Sequence, residues 1–190
     1  MAFDVNALRH PKERIYGALM LWIGALVWLA VAAGAVLSQA FRIAILPAAI
    51  YLVVIWLVLT IARVLIRAHM FGHHVLVGPD QFPHIHAMVE EGARRLGLAE
   101  APMTFVYNSQ GVMNAFALRL IGKQRYVWIA SALIDADTDE QLRFVIGHEL
   151  GHHVAGHLDA LPHVVRLAGF LIPALGPAYS RARELTCDRI

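Results

Sequence analysis

Two histidines and a glutamate at fixed spacing are the residues of this chain best suited to chemistry. His148, Glu149 and His152 form the pattern His-Glu-x-x-His. On a helix, residues four apart lie on the same face, so both imidazoles can bind one zinc ion from one side. Glu149 then projects beside them toward a bound water. The spacing predicts one zinc ion per chain, with His148 and His152 as ligands and Glu149 as general base of a hydrolase.

A catalytic zinc takes three protein ligands, and this pattern supplies two. Downstream, Glu184 and Asp188 are four residues apart in a helical pattern, so their carboxylates share one helix face. We assign Glu184 as the third ligand and Asp188 as the outer partner that accepts the free ring N–H of a ligand histidine. The upstream pattern favours this assignment. The alternative is a solvated face paired to the neighbouring arginines Arg181, Arg183 and Arg189.

Other histidines, and the only cysteine, are less suited to a ligand role. His153 and His157 lie off the 148/152 face at 100° per residue and are interpreted as solvated or core histidines. Cys187 is interpreted as a small buried residue. A single cysteine excludes an internal disulfide. Five histidines have no ligand spacing with a partner acid and are interpreted as structural or solvated: His69, His73, His74, His84 and His86.

The helix that carries the pattern has a strong start signal. Thr138 with Gln141 three residues on matches a capping box, and the acids around them suit the positive end of a helix. Upstream, Asp80 is the predicted N-cap of an amphipathic helix to about Arg95. Three strands are predicted between these helices, at 103–107, 113–120 and 125–130, and the turn at 122–124 joins the last two as a hairpin. A small antiparallel sheet therefore precedes the motif helix.

Two long uncharged runs near the N-terminus indicate a membrane. Hydrophobic residues make up 58% of the chain and charged residues 16%, unlike an average soluble domain. The runs 15–41 and 43–62 are each long enough to cross the hydrocarbon core. We predict a two-helix transmembrane hairpin over 15–66, after an N-terminal segment at 1–14 and before a catalytic domain at 67–190.

The charges that flank the hairpin predict its orientation. Three cations between 9 and 14 precede the first run, Arg63 and Arg67 follow the second, and the connection carries only Arg42. By the positive-inside rule, both ends and the catalytic domain face the cytoplasm. The net charge of +2, without a block of Lys and Arg, excludes nucleic acid as a partner.

One apolar segment, 161–179, lies between the motif and Glu184. Its uncharged part, 167–179, is too short to cross a bilayer alone. We expect an amphipathic segment at the membrane surface or a lid over the site. A buried hydrophobic connector is the alternative.

The motifs together resemble those of a known family. The sequence His-Glu-Leu-Gly-His at 148–152, followed by Glu-Leu-Thr-Cys-Asp at 184–188, resembles the pattern of the HtpX-like and CaaX-prenyl-protease-like membrane gluzincin zinc metallopeptidases. Asn-Ala-Phe-Ala at 114–117 is similar to a segment that these enzymes carry ahead of the motif. The likeness covers about 103–190. It implies an α+β fold, a mainly helical zincin-like domain with a small antiparallel sheet behind a membrane hairpin.

The resemblance also implies a function. It implies a zinc endopeptidase in a bacterial inner membrane that cleaves proteins or peptides, including misfolded membrane proteins, for quality control or processing. Two departures stand out: HtpX has further spans between the motif and the third ligand, and relatives continue beyond 190. We therefore expect the domain to be incomplete at its C-terminal end, without a residue there to stabilise the oxyanion.

Two other functions are compatible with parts of the pattern. One is an inactive membrane-anchored zinc-binding protein that acts as an interaction or assembly factor, which the intact Glu149 speaks against. The other is a membrane interaction protein in which the pattern is accidental, and that protein would hold no stoichiometric zinc. The sequence leaves the identity of the substrate and the oligomeric state open.

Overall fold

A computed structural model describes residues 3–190 and contains helices around one small sheet. Contacts divide the chain into two compact units, a motif unit (up to Arg9, 63–158 and 184–190) and a hairpin unit (10–62 and 159–183). The α+β fold behind two long apolar helices is confirmed. The elements are α1 Val5–Leu8, α2 Pro11–Leu37, α3 Gln39–His73, β1 Val75–Leu76, α4 Pro83–Arg95, β2 Met103–Tyr107, β3 Ala115–Leu118, β4 Tyr126–Ala130, α5 Ser131–Ala136, α6 Asp139–Val154, α7 Ala160–Phe170 and α8 Leu175–Cys187.

The sheet is mixed, so the prediction of a wholly antiparallel sheet was wrong. Its strand order is β1-β2-β4-β3. β3 and β4 form the predicted antiparallel hairpin, but β2 pairs with β4 in parallel and the short β1 joins β2 in antiparallel fashion. After β2, the chain first forms β3, two positions away in the sheet. It then returns as β4 in the position between β2 and β3, and β4 therefore runs parallel to β2. β3 is therefore an edge strand.

Helices pack on both faces of the sheet because successive side chains of each strand point to opposite faces. On β4, Val127 and Ile129 join the core formed with α4 and α6, whereas Tyr126 belongs to a second cluster with Phe105 of β2. Met70, near the end of α3, completes that second cluster. The motif helix α6 packs against the sheet through the first of these clusters.

The helix starts follow local signals, with one correction. α6 begins after Thr138, whose hydroxyl accepts from the Gln141 backbone at 3.4 Å, while the Gln141 side chain accepts from the Thr138 backbone at 2.8 Å. The predicted capping box is therefore present. Asp80 was wrong as the N-cap of α4: Phe82 occupies that position with φ 59°, and Pro83 begins the helix. A proline fits the first helical position because its missing N–H would be unpaired there.

The two apolar runs form two helices that break at Ser38. Both α2 and α3 are long and apolar enough to cross a membrane. The break lies earlier than the boundary at Phe41 that the charges indicated, and α3 continues to His73. Pro47 lies inside α3. Most side chains of both runs are exposed, as lipid-facing residues would be.

Candidate metal centre

The motif helix α6 presents both predicted histidine ligands on one side. The ring centroids of His148 and His152 lie 5.1 Å apart. Their side chains are 19% and 13% exposed, so they lie at the surface of the core and not inside it. Ile146 and Leu150 of the same helix are buried in the core and fix the direction in which the histidines point.

Helix α8 brings the two predicted carboxylates to these histidines. Glu184 Oε2 lies 3.2 Å from His148 Nε2 and 3.4 Å from His152 Nε2. Two ring nitrogens from one helix therefore point at one carboxylate oxygen from another. These contacts differ from the alternative interpretation, in which Glu184 pairs with a neighbouring arginine on a solvated face.

The separations of the Glu184 oxygen from the two histidine nitrogens are compatible with a shared zinc ion. Zinc–nitrogen bonds of about 2.0–2.1 Å in a tetrahedron place neighbouring donor atoms about 3.3 Å apart. The distances from Glu184 Oε2 to the two Nε2 atoms, 3.2 and 3.4 Å, agree with that separation. A His–His–Glu donor set also leaves a fourth position open, as catalytic zinc requires. His148, His152 and Glu184 could therefore hold the ion.

Asp188 contacts the far side of one ligand ring. Its Oδ1 lies 2.9 Å from His148 Nδ1. A proton on Nδ1 then donates to the carboxylate, which leaves the Nε2 lone pair for a metal and makes it more basic. This is the contact that the four-residue spacing of Glu184 and Asp188 predicted.

We expect Asp188→Ala to weaken zinc binding about ten- to hundredfold, the usual effect of removing such an outer partner. The Asp188 side chain is 48% exposed, so folding should be little affected. Competition with a zinc-binding dye measures the change. Asp135→Ala, in an exposed acid of α5, is the control. An unchanged zinc affinity in Asp188→Ala would show that the aspartate does not act on the ligand.

His157 is a residue of the site that the helical projection missed. α6 ends in a Schellman turn, in which Gly156 takes φ 72° and the His157 backbone N–H donates to the His152 carbonyl at 3.0 Å. The turn places His157 Nδ1 3.1 Å from His152 Nδ1. His157 is 3% exposed and therefore a core residue, one of the two predicted environments. Gly156, four residues after His152, is the feature of the sequence that could have indicated this turn.

Substitution of His157 should affect the metal through His152. If His152 binds metal through Nε2, its Nδ1 carries the proton and His157 accepts it. We expect His157→Leu to lower zinc affinity about tenfold or more and His157→Gln, which keeps an acceptor, to lower it less. His153→Leu is the matched control, because His153 is also buried but contacts the Tyr126 carbonyl at 3.0 Å. Equal zinc affinity in all three variants would contradict the role.

Cys187 offers a second possible donor near the histidines. Its Sγ and ring nitrogens of His148 and His152 lie within 4.8 Å of one another. The thiol is 2% exposed, as expected of a small buried residue, and lies 3.5 Å from His157 Nδ1. That nitrogen contacts the Nδ1 side of His152. The closer approach of both Nε2 atoms to Glu184 favours the carboxylate as ligand.

Glu149, the predicted general base, is buried. It is 8% exposed, and this burial raises the pKa of its carboxyl above the usual range. His148 and a hydrogen bond from the Ala117 backbone lower the pKa in part, and Glu184 raises it further. Because Ala117 belongs to β3, the carboxylate lies against the edge strand of the sheet.

Three of the histidines upstream form a cluster of their own. The rings of His69 and His73 stack at 4.2 Å, and His74 lies 5.5 Å from His69 and 4.8 Å from Trp128. His74 Nδ1 is buried without a hydrogen-bond partner. Burial lowers the pKa of His74, and the neighbouring His69 and His73 lower it further. These ring contacts are compatible with the interpretation of the cluster as structural, which stays a prediction.

The lowered pKa of His74 makes stability depend on pH. The unfolded chain takes up a proton near pH 6.5, as an ordinary histidine does, while folded His74 stays neutral to lower pH. The stabilisation is therefore complete above about pH 6.5 and is lost as pH falls through the folded pKa. We expect His74→Phe to flatten the fall of the unfolding temperature between about pH 7.5 and 5.5. His84→Phe, on the exposed face of α4, should keep the wild-type slope; equal slopes in both variants would contradict this.

Comparison with known proteins shows what the part of the chain around α6 is similar to. Residues 79–171 match the sequence model of peptidase family M48. The chain is 33% identical over 131 residues to the plastoglobule-localized metallopeptidase 48 of Arabidopsis thaliana, covering 62% of this chain and 38% of that protein. It is 32% identical over 99 residues to a protease HtpX homolog of Methanothermobacter thermautotrophicus, covering 52% of this chain and 37% of that protein. No solved structure matches the chain at a significant level.

The chain spans less than two fifths of the length of these two relatives. The matched region nevertheless contains the whole of α6, with both histidines and Glu149. Metallopeptidases use a divalent metal, in agreement with the donor atoms gathered between α6 and α8. Residues 79–171 therefore match peptidase family M48, and the chain resembles the HtpX-like metallopeptidases of that family.

Proposed function

We propose that this protein is a membrane-anchored zinc endopeptidase. The convergence of His148 Nε2, His152 Nε2 and Glu184 Oε2 within 3.2–3.4 Å, beside the buried Glu149, carries the proposal. When bound, zinc would lower the pKa of a water molecule and polarise the carbonyl of the scissile peptide bond. The chain's own residues supply the ligands, the base and the support for each.

Glu149 would move the proton in this reaction. Its raised pKa lies closer to neutrality than that of an ordinary carboxyl, which favours both taking a proton from water and passing it to the leaving amine. The Ala117 backbone holds the carboxylate in place. Asp188 and His157 would hold the rings of His148 and His152 in the orientation that a metal needs.

The edge strand β3 is the proposed binding site for the substrate. It lies at the end of the sheet order, and the backbone of its Ala117 contacts Glu149. An extended peptide that adds to this edge as a further strand would run past the general base. Main-chain pairing of this kind depends little on side chains, so it suits an enzyme that cleaves many sequences.

The membrane assignments extend this proposal. α2 and α3 would anchor the protein as a hairpin over 15–66, and the flanking cations would keep the catalytic domain in the cytoplasm, at the inner membrane of a bacterium. Substrates would then be membrane proteins with exposed or misfolded segments, as in quality control or processing. Reconstituted protein should cleave casein and an unfolded membrane protein, and a chelator should stop both reactions. Cleavage that persists without metal would contradict the proposal.

A further inference from the structure

Helix α7 packs directly against the first apolar helix, α2, within the hairpin unit. A Cβ atom on Gly24 of α2 would lie 1.7 Å from the Val165 carbonyl oxygen, and one on Gly169 would lie 2.7 Å from Met20. Met20 is fully buried by this contact. Backbones in such close contact through glycines are typical of helix pairs in membranes.

Hydrogen bonds extend this contact along α2. Trp28 Nε1 donates to the Val164 carbonyl at 3.2 Å, and Arg166 Nε donates to the Gly17 carbonyl at 3.1 Å. From Gly17 to Trp28, α2 rises about 16 Å, roughly half of the 30 Å hydrocarbon core. All of these positions lie inside the uncharged run 15–41. A helix that contacts α2 along this stretch therefore lies at the same depth as the uncharged run of α2.

Apart from Arg166 and the half-buried His163, the side chains of α7 are apolar, and several of them are exposed. Between 160 and 180 the sequence contains one charged residue, Arg166, whose guanidinium donates to Gly17 and lies 5.6 Å from the centre of the Tyr179 ring. Exposed leucines also line α2 at the level of this contact, at Leu19 and Leu26. The large apolar side chains exposed on and just after α7 are Leu161 (75%), Val164 (52%), Leu167 (49%), Leu171 (82%) and Ile172 (38%).

We infer that α7 lies within the bilayer against α2 and presents its outer face to lipid acyl chains without crossing the membrane. Its 11 residues reach about 16 Å, half of what a crossing needs. Lipid is the occupant that fits, because this face continues the exposed apolar surface of a membrane helix. The inference rests on the proposed membrane position of α2. It gives the segment between the motif and Glu184 a role as a third membrane-contacting element.

Spin labels on single cysteines can test this surface in the full chain. In a Cys187→Ala background, labels would be placed at Leu167→Cys and Leu171→Cys on and just after α7, so that one misfolded variant does not decide the result. Leu26→Cys on α2 is the lipid control. Phe144→Cys is the water control, because Phe144 is 59% exposed on α6 in the motif unit. The protein is reconstituted in phosphatidylcholine–phosphatidylglycerol vesicles, and collisions with oxygen and with chromium oxalate are measured.

Oxygen concentrates in lipid, and chromium oxalate stays in water. The reagent that collides more often with a label therefore shows whether the label faces lipid or water. We expect oxygen to dominate at Leu167, Leu171 and Leu26, and chromium oxalate to dominate at Phe144. If the α7 labels behave like Phe144, the helix faces water and the inference is wrong. If they collide with neither reagent, protein such as a second copy covers the face, which also overturns it. If Leu26 also behaves like Phe144, the proposed membrane anchor itself fails.

Discussion

Glu149→Gln is expected to lower the rate of peptide cleavage by about a thousandfold while the protein keeps its zinc. A positioned general base contributes roughly 10²- to 10⁴-fold, and glutamine cannot take a proton from water. Glutamine has the same shape and can still accept from the Ala117 backbone, so the site should stay folded. Because burial opposes the charged form of Glu149, the neutral variant should unfold at the same or a higher temperature. Single-turnover cleavage, metal analysis and thermal unfolding measure the three effects.

Glu140→Gln is the matched control for this variant. Glu140 lies in the first turn of the same helix α6 and is exposed, so its loss should leave cleavage and zinc content at the wild-type level. Cleavage by Glu149→Gln at the wild-type rate would remove Glu149 from the reaction. Loss of both zinc and activity in that variant would instead show that Glu149 holds the metal.

Glu184→Ala is expected to lose zinc, and with it all cleavage. Removal of a ligand should weaken binding by more than the ten- to hundredfold that an outer partner such as Asp188 contributes. The Glu184 side chain is 55% exposed, so the loss should come from the metal site and not from unfolding. Zinc affinity by dye competition, beside circular dichroism for the fold, separates the two. Glu90→Ala, an exposed glutamate of α4, is the control.

Zinc that stays bound at the wild-type affinity in Glu184→Ala would place the third ligand elsewhere. Cys187 would then be the next candidate, because its sulfur lies within 4.8 Å of the ring nitrogens of both histidines. In that event Cys187→Ala, and not Glu184→Ala, should release the ion.

Local signals explain why much of the site could be predicted. The spacing of His148 and His152 places both on one face of any helix, and the capping box at Thr138 indicated where that helix begins. The four-residue step from Glu184 to Asp188 likewise predicted two carboxylates on one face. The approach of α8 to α6 is a tertiary contact that no local pattern predicts. Only the need of a catalytic zinc for a third ligand indicated it.

The features that the sequence analysis missed have two kinds of cause, a distant strand pairing and local turn or helix-start geometry. The parallel pairing of β2 with β4 follows from where β3 lies, which no local pattern records. His157 projects away from the ligand face on an ideal helix, but the chain leaves the helix at Gly156 and returns the side chain to His152. Phe82 displaced Asp80 as N-cap because Pro83 determines the start of α4.

Zinc K-edge X-ray absorption on the purified full chain tests the central claim most directly. We predict one zinc ion per chain, with nitrogen and oxygen donors at about 2.0–2.1 Å from two histidines and a carboxylate. No sulfur should appear at about 2.3 Å, the distance of a zinc–thiolate bond. A sulfur neighbour would contradict the assignment of Glu184 by placing Cys187 on the metal, and a protein that binds no stoichiometric zinc would contradict the account as a whole.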